Sequence, residues 1–175
     1  PAGSVLATLS GNTGDIRTAE RTMLNLLGRL MGIATLAQEY VEKVQGTGAR
    51  VYDTRKTTPG WRRLEKYAVR CGGAHNHRTG LFDAILIKDN HLAQSGQQGL
   101  SPAEAVEQAK GFLRDNPVDK LPIEIEVDTL EQLANVLPAQ PDIVLLDNMS
   151  TAQLVEAVAM RGRSAPEVEL EASGG

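Results

Sequence analysis

Five side chains in this sequence, Arg55, Lys56, His77, Arg78 and Lys88, supply cations or a titratable imidazole, and three more, Glu126, Asp147 and Ser173, supply carboxylates and a hydroxyl. Arginine offers a planar fork to carboxylate or phosphate and lysine a point charge, so several of them on one mouth bind a ligand with more than one negative charge. Two carboxylates opposite suit a divalent metal or the hydroxyls of a sugar. Together the set points to phosphorylated-sugar chemistry. Each member also has a plainer reading. Arg55 and Lys56 read as solvated surface, residues 126–128 and Asp147-Asn148 as helix caps, and His77 as a structural histidine. Gly72-Gly73 and Gly174-Gly175 read as turn formers, although the amides of such loops also hold phosphate. Glu104, Glu107, Lys110 and Arg114 read as solvent-facing charges on a helix. What raises the set is its shared position.

That position is the end of a strand. Apolar runs at 49–52, 84–87, 123–127, 143–146 and 168–170 predict five strands, separated by helical stretches at about 101–116, 129–137 and 150–161. Alternation of this kind predicts a parallel sheet with crossover helices. Ser101-Pro102 with Glu104 reads as a helix start, and residues 128–131 and 148–151 offer comparable caps. Residues 53–56 follow the first strand and 88–91 the second. Glu126 and Asp128 close the third, Asp147-Asn148 the fourth, and residues 173–175 follow the fifth. A doubly wound sheet and a (β/α) barrel both satisfy the alternation, but a polar group at the C-terminal end of every strand, with no single glycine-rich fingerprint, favours the barrel. The predicted class is α/β, an incomplete, TIM-like (β/α) barrel, because a full ring takes about 250 residues and seven or eight strands. Upstream, Met23, Leu24, Leu27, Leu30, Met31, Ala34, Ala37, Tyr40 and Val41 predict a long, well-buried helix from Thr18 or Ala19 to about Val44. Residues 5–9 read as the end of a strand, with a polar turn at 11–14. A start on Pro1 and a glycine pair directly after a strand-like run read as truncation at both ends.

Composition narrows the class further. The chain has 175 residues, 41% hydrophobic and 23% charged, which is ordinary for one globular domain. A net charge of −4 leaves no basic excess to follow a nucleic-acid backbone. The single Cys71 excludes an internal disulfide, and no paired-cysteine spacing offers a thiolate zinc site. No apolar run approaches the ~18 residues of a membrane span, and the first residues lack the pattern of a signal peptide. The expectation is a cytoplasmic protein with neither nucleic acid nor membrane as partner.

The motifs that carry these residues form a set: AERTMLN at 19–25 with GIAT at 32–35, DTRKTTPG at 53–60, HRTGLFDAILIKDNH at 77–91, EIEVD at 124–128, LDN at 146–148 and LEASGG at 170–175. In identity and order they closely resemble quinolinate phosphoribosyltransferase, the carboxylating nicotinate-nucleotide pyrophosphorylase family of NAD biosynthesis. The resemblance runs from about residue 4 to the last residue. It implies that residues 1–18 are the remnant of an N-terminal α/β sandwich domain and its connection. Residues 19–175 would be the C-terminal barrel domain without its last strands. It implies transfer of phosphoribose from phosphoribosyl pyrophosphate to quinolinate with loss of CO2, giving nicotinate mononucleotide and pyrophosphate, with Mg2+ as cofactor. Quinolinate would be held by Arg21, Arg55, His77, Arg78 and Lys88, with Lys56 and Lys88 also reaching the phosphoribosyl substrate. Glu126 and Asp147 would lie near the ribose hydroxyls and the Mg2+–pyrophosphate. Ser173, Gly174 and Gly175 would begin the 5′-phosphate loop. Arg21 would cross a homodimer interface, and dimers could assemble further into hexamers.

The chemistry agrees with these roles. A pocket of cations matched to two carboxylates leaves a cation unpaired when the acid is nicotinate, so charge count discriminates between the two. Phosphoribosyl transfer passes through a cation-like C1 centre, which calls for positioning, a neutralised leaving group and a nearby carboxylate. No covalent nucleophile is needed, and Cys71 needs no role. Segments 94–100 and 115–122 look longer than in the tightest family members. An open barrel exposes strand edges and apolar interior, so the segment alone is expected to be poorly soluble and inactive. Two other readings compete: a paralogue on the same scaffold, such as a molybdenum-associated relative acting on another acid, and a non-catalytic barrel that binds phosphorylated ligands.

Overall fold

The runs at 123–127 and 169–173 alternate apolar with polar residues, and this gives the sheet two different faces. In the computed structural model, which describes residues 3–88, 99–116 and 121–174, four strands form one parallel sheet: β1 (Ile85–Ile87), β2 (Ile123–Val127), β3 (Ile143–Asp147) and β4 (Glu169–Ser173). Their spatial order equals their chain order, β1-β2-β3-β4. Among the described residues the crossover helices are α3 (Pro102–Asp115), α4 (Leu130–Val136) with a 3-10 turn at Leu137–Ala139, and α5 (Thr151–Ser164). Ile87, Ile123, Ile125, Val127, Val144 and Leu146 form a buried core with Val106, Leu133, Val136 and Ala157 from the helices. The alternate residues lie on the opposite face. Register places Glu126 beside Leu145, Leu145 beside Glu171 and Asp147 beside Ser173, so one face of the sheet carries a carboxylate or hydroxyl from every strand after β1. A parallel sheet covered on both sides would read as continuously apolar. Here the second face is polar, with Glu124 on it buried.

Each crossover helix starts with a reciprocal capping box. Ser101 pairs with Glu104, Thr129 with Gln132 and Ser150 with Gln153. Each box satisfies amides that the first turn leaves without partners. The caps are therefore Thr129 and Ser150, and the carboxylates of Asp128 and Asp147, which a plainer reading assigned to capping, are left for other work. On α3, Glu104 closes its capping box and Lys110 donates to the Ala139 carbonyl, so these two are not simply solvated.

The chain divides into two compact units, Pro1–Thr79 and Gly80–Gly175. In the first, α1 (Thr13–Val44) is capped by the Asn12 side chain and packs along α2 (Arg62–Cys71). The expected helix is present but starts at Thr13, inside the stretch read as a turn. It is not well buried: no residue of α1 is buried, and Leu24, Leu27 and Met31 are exposed. One neighbouring helix covers one stripe, and the apolar pattern of α1 is wider than that. Residues 5–9 form no strand, because a strand needs a partner ladder and none among the described residues supplies it. The strand expected at 49–52 reduces to a single bridge between Tyr52 and His75. His75 donates to Val51 and receives from Asp53. One step on, the carboxylate of Asp53, not another strand, accepts from the His77 amide. The last strand is shifted from 168–170 to Glu169–Ser173, so it reaches Ser173 itself.

No helix among the described residues is long and apolar enough to cross a membrane.

Candidate active site

In the second unit the ends of consecutive strands meet. Lys88, directly after β1, donates to Oε2 of Glu126 on β2 at 2.6 Å, with 41% of the lysine side chain and 13% of the glutamate side chain exposed. Glu126, Asp128 and Asp147 each present a carboxylate oxygen, and these three atoms lie within 4.8 Å of one another. Three hard oxygen donors at that spacing suit Mg2+, which takes carboxylates together with water and substrate phosphate. The Asn148 side chain donates to Asp147, and the Asn148 amide donates to the Ser173 carbonyl at 2.8 Å. Asn148 is in the left-handed region at φ +52 and Gly174 has φ +100. A β-carbon on Gly174 would overlap the Asn148 side chain, so only glycine lets these two strand ends lie this close. Gly175, the last of the expected phosphate-loop residues, lies outside the described residues, as do Asp89, Asn90 and His91 and most of the segments at 94–100 and 115–122.

The first unit brings together four of the expected cations on two segments, Arg55 and Lys56 on one and His77 and Arg78 on the other. Helix α2 fastens both. Arg62 donates to the Arg55 carbonyl at 3.2 Å and to the Thr79 carbonyl at 3.1 Å, and its Nε reaches Thr57. Glu65 accepts from the Thr58 amide and from Arg29 of α1, whose guanidinium also lies 5.7 Å from the Trp61 ring centroid. Lys66 donates to Asp53 at 2.5 Å and to the His77 carbonyl at 3.0 Å. The His77 ring stands edge-on to Tyr52, centroids 6.4 Å apart. Lys56 is exposed, and Arg21 is an exposed residue of α1. Nε of Arg55 is buried and meets no acceptor among the described residues. A buried donor without a partner is costly, and a ligand carboxylate is the natural acceptor for it.

Burial acts on Glu65 to raise its carboxyl, but hydrogen bonds from Arg29 and Thr58 outweigh it and hold the group below the ordinary glutamate value. A carboxyl depressed by folding contributes stability that is complete above the unfolded value and lost as pH falls through the folded one. Urea unfolding from about pH 6 down to about pH 3 is therefore expected to show a steeper acid loss in the wild type than in Glu65→Gln, with the two curves flattening together at the acid end.

Sequence reading passes over α2 and with it Arg62, Glu65 and Lys66, as well as Asn76, and it notes Asp53 and Asp128 at strand ends without giving either a role in the site. A helical signal was present in Leu64, Tyr67, Ala68 and Cys71. It marks the buried face only in part, because Ala68 is buried together with Glu65 and Lys66 whereas Leu64 and Tyr67 are exposed.

The family described as quinolinate phosphoribosyl transferase, C-terminal domain, matches residues 33–175. Nicotinate-nucleotide pyrophosphorylase [carboxylating] of Mycobacterium leprae is 47% identical over 174 residues, covering 99% of this chain and 58% of that protein. A probable enzyme of the same name from Synechocystis is 43% identical over 173 residues, covering 99% and 56%. Among solved structures, the nicotinate-nucleotide pyrophosphorylase of Francisella tularensis aligns with a TM-score of 0.80 at 44% identity, over 94% of this chain and 54% of that one. NadC from Streptococcus pyogenes aligns with a TM-score of 0.80 at 39% identity, over the same shares. The chain thus spans a little over half the length of the relatives it matches. An incomplete (β/α) barrel sheet, carboxylates at its strand ends and a family match over most of the sequence lead to one conclusion: the chain belongs to the quinolinate phosphoribosyltransferase family.

Proposed function

We propose that the protein containing this chain transfers phosphoribose from phosphoribosyl pyrophosphate to quinolinate with decarboxylation, yielding nicotinate mononucleotide, pyrophosphate and CO2 for NAD biosynthesis. The observation that carries the reading is the buried Nε of Arg55, a donor awaiting an acceptor. Arg55, His77, Arg78 and Lys88 hold the two quinolinate carboxylates. Arg21 is donated by a second copy, so the working unit is a homodimer, alone or assembled into a hexamer. Lys56 and Lys88 bind the phosphoribosyl substrate, and Ser173, Gly174 and Gly175 take its 5′-phosphate.

Glu126 and Asp147 orient the ribose hydroxyls and stabilise positive charge developing at C1. With Asp128 they are the oxygen donors that would hold Mg2+, directly or through the pyrophosphate. When bound, the ion neutralises the leaving pyrophosphate. Because Lys88 already pairs with Glu126, arrival of an anionic substrate lets the lysine exchange one carboxylate for another without becoming desolvated and unpaired. Once the ring nitrogen is alkylated it is cationic and stabilises the electron pair left on C2 when the 2-carboxylate departs as CO2, and a proton from solvent then completes C2. The protein then has only to hold the nucleotide in place. A cytoplasmic setting goes with this role.

The test is to incubate the product of the complete reading frame with quinolinate, phosphoribosyl pyrophosphate and Mg2+, with nicotinate as control acid, and to follow nicotinate mononucleotide by mass spectrometry. Product from quinolinate and none from nicotinate is the expected result. A folded protein that makes no product from quinolinate overturns the reading.

A further inference from the structure

Asp53, Lys66 and Asn76 form a buried polar cluster to which neither the family motifs nor the proposed chemistry gives a role. The side chains of Lys66 and Asp53 are 6% and 8% exposed. Asp53 accepts from Lys66 Nζ at 2.5 Å and from the His77 amide at 2.8 Å through one oxygen, and from Asn76 Nδ2 at 2.7 Å through the other. Lys66 also donates to the His77 carbonyl at 3.0 Å, and Asn76 to the Lys66 carbonyl at 2.9 Å. Both backbone groups of His77 are thus held by one ion pair, whose acidic member stands two residues before Arg55.

A buried pair of this kind is weak as a source of stability but strong as a device for specifying geometry, because every polar group in it is satisfied in one arrangement only. We infer that Asp53, Lys66 and Asn76 are positioning residues that fix the spacing between the Arg55-Lys56 and His77-Arg78 segments, and through it the recognition of a dicarboxylate acid. The kinetic part of this inference rests on the function proposed above; the structural part does not.

The experiment compares wild type with Asp53→Asn, Lys66→Met and the milder Asn76→Ala in the product of the complete reading frame. It reads backbone hydrogen exchange of peptides covering 53–58 and 75–79, and KM and kcat for quinolinate. The expected result is exchange at 75–79 faster by about tenfold or more, with peptides from β2 and β3 unchanged. KM for quinolinate should rise by about 10- to 100-fold, more than kcat falls, with the KM for phosphoribosyl pyrophosphate less affected. Lys66→Arg should recover part of the loss. If Asp53→Asn and Lys66→Met do not fold, Asn76→Ala decides. Unchanged exchange at 75–79 in a folded variant overturns the inference. So does a loss of activity that merely follows the unfolded fraction, with KM unaltered. Should the wild type fail to use quinolinate, the proposed function falls, and the exchange measurement still decides whether this cluster holds the two segments.

Discussion

Lys88→Ala in the product of the complete reading frame is expected to lower kcat/KM for quinolinate by about 10² to 10³, or about 2.7–4 kcal/mol of transition-state stabilisation. The size of the effect comes from where the lysine stands. It follows β1 directly, on the face that carries the carboxylates of β2, β3 and β4, and its ammonium contacts Glu126 at 2.6 Å. Removing it subtracts the cation for the acid and leaves Glu126 without its partner at the moment an anionic substrate must enter. The fold should not suffer, because 41% of the lysine side chain is exposed and half-open ion pairs contribute only about 0–1 kcal/mol to stability. Steady-state kinetics beside a thermal melt separate the two effects. Turnover within about threefold of wild type, with an unchanged melt, removes Lys88 from the site.

Gly72→Ala should cost about 2–3 kcal/mol of stability. Its β-carbon would collide with the carbonyl oxygen of Ala34 and lie 2.7 Å from Cβ of Ala37 and 3.0 Å from the Gln38 amide nitrogen, all on α1. Two of those three atoms are backbone in mid-helix and cannot swing aside. The C-terminal end of α2 must therefore retreat from α1. Gly28 and Gly32 supply the control on the same helix. A methyl there meets nothing within 4 Å, and alanine should stabilise by about 0.5–1 kcal/mol at each. Thermal or urea unfolding of the three variants tests the contrast, and a melt for Gly72→Ala equal to that of Gly32→Ala would show that α2 does not press on α1 at this point.

Where chemistry and burial pull the same way, the sequence was legible. The run at 123–127 appears as β2 without a shift, and Ser101, Pro102 and Glu104 start a helix as their types require. The polar residues read at strand ends stand there in the structure: Lys88 directly follows β1, Glu126 is the penultimate residue of β2, and Asp147 and Ser173 end β3 and β4. Where the two oppose each other, the reading failed. Helix α2 buries Glu65 and Lys66 beside Ala68 and exposes Leu64 and Tyr67, so hydropathy misplaces most of its buried face. Helix α1 has apolar residues enough for a wide interface, and only one stripe of them is covered by α2, so counting apolar positions overstated its burial. The stretch at 49–52 has strand composition but gains a ladder of one bridge, because the next hydrogen bonds go to a side chain. The ion-pair cluster of Asp53, Lys66 and Asn76 was invisible for a related reason. Its members are 10 to 23 residues apart along the chain, and only the packed structure makes them neighbours.

The agreement between chain order and strand order in the sheet bears on how the molecule is made. Each of β2, β3 and β4 pairs with the strand synthesised just before it, and among the described residues α3, α4 and α5 lie between them in turn. No pairing among these four strands has to wait for a distant segment, so loop-closure entropy is met in small instalments and the sheet can grow by one βα unit at a time as the chain leaves the ribosome. Each new strand finds its template already in place, and at every stage the nascent edge is the strand whose C-terminal end has just delivered its carboxylate or hydroxyl to the growing polar face.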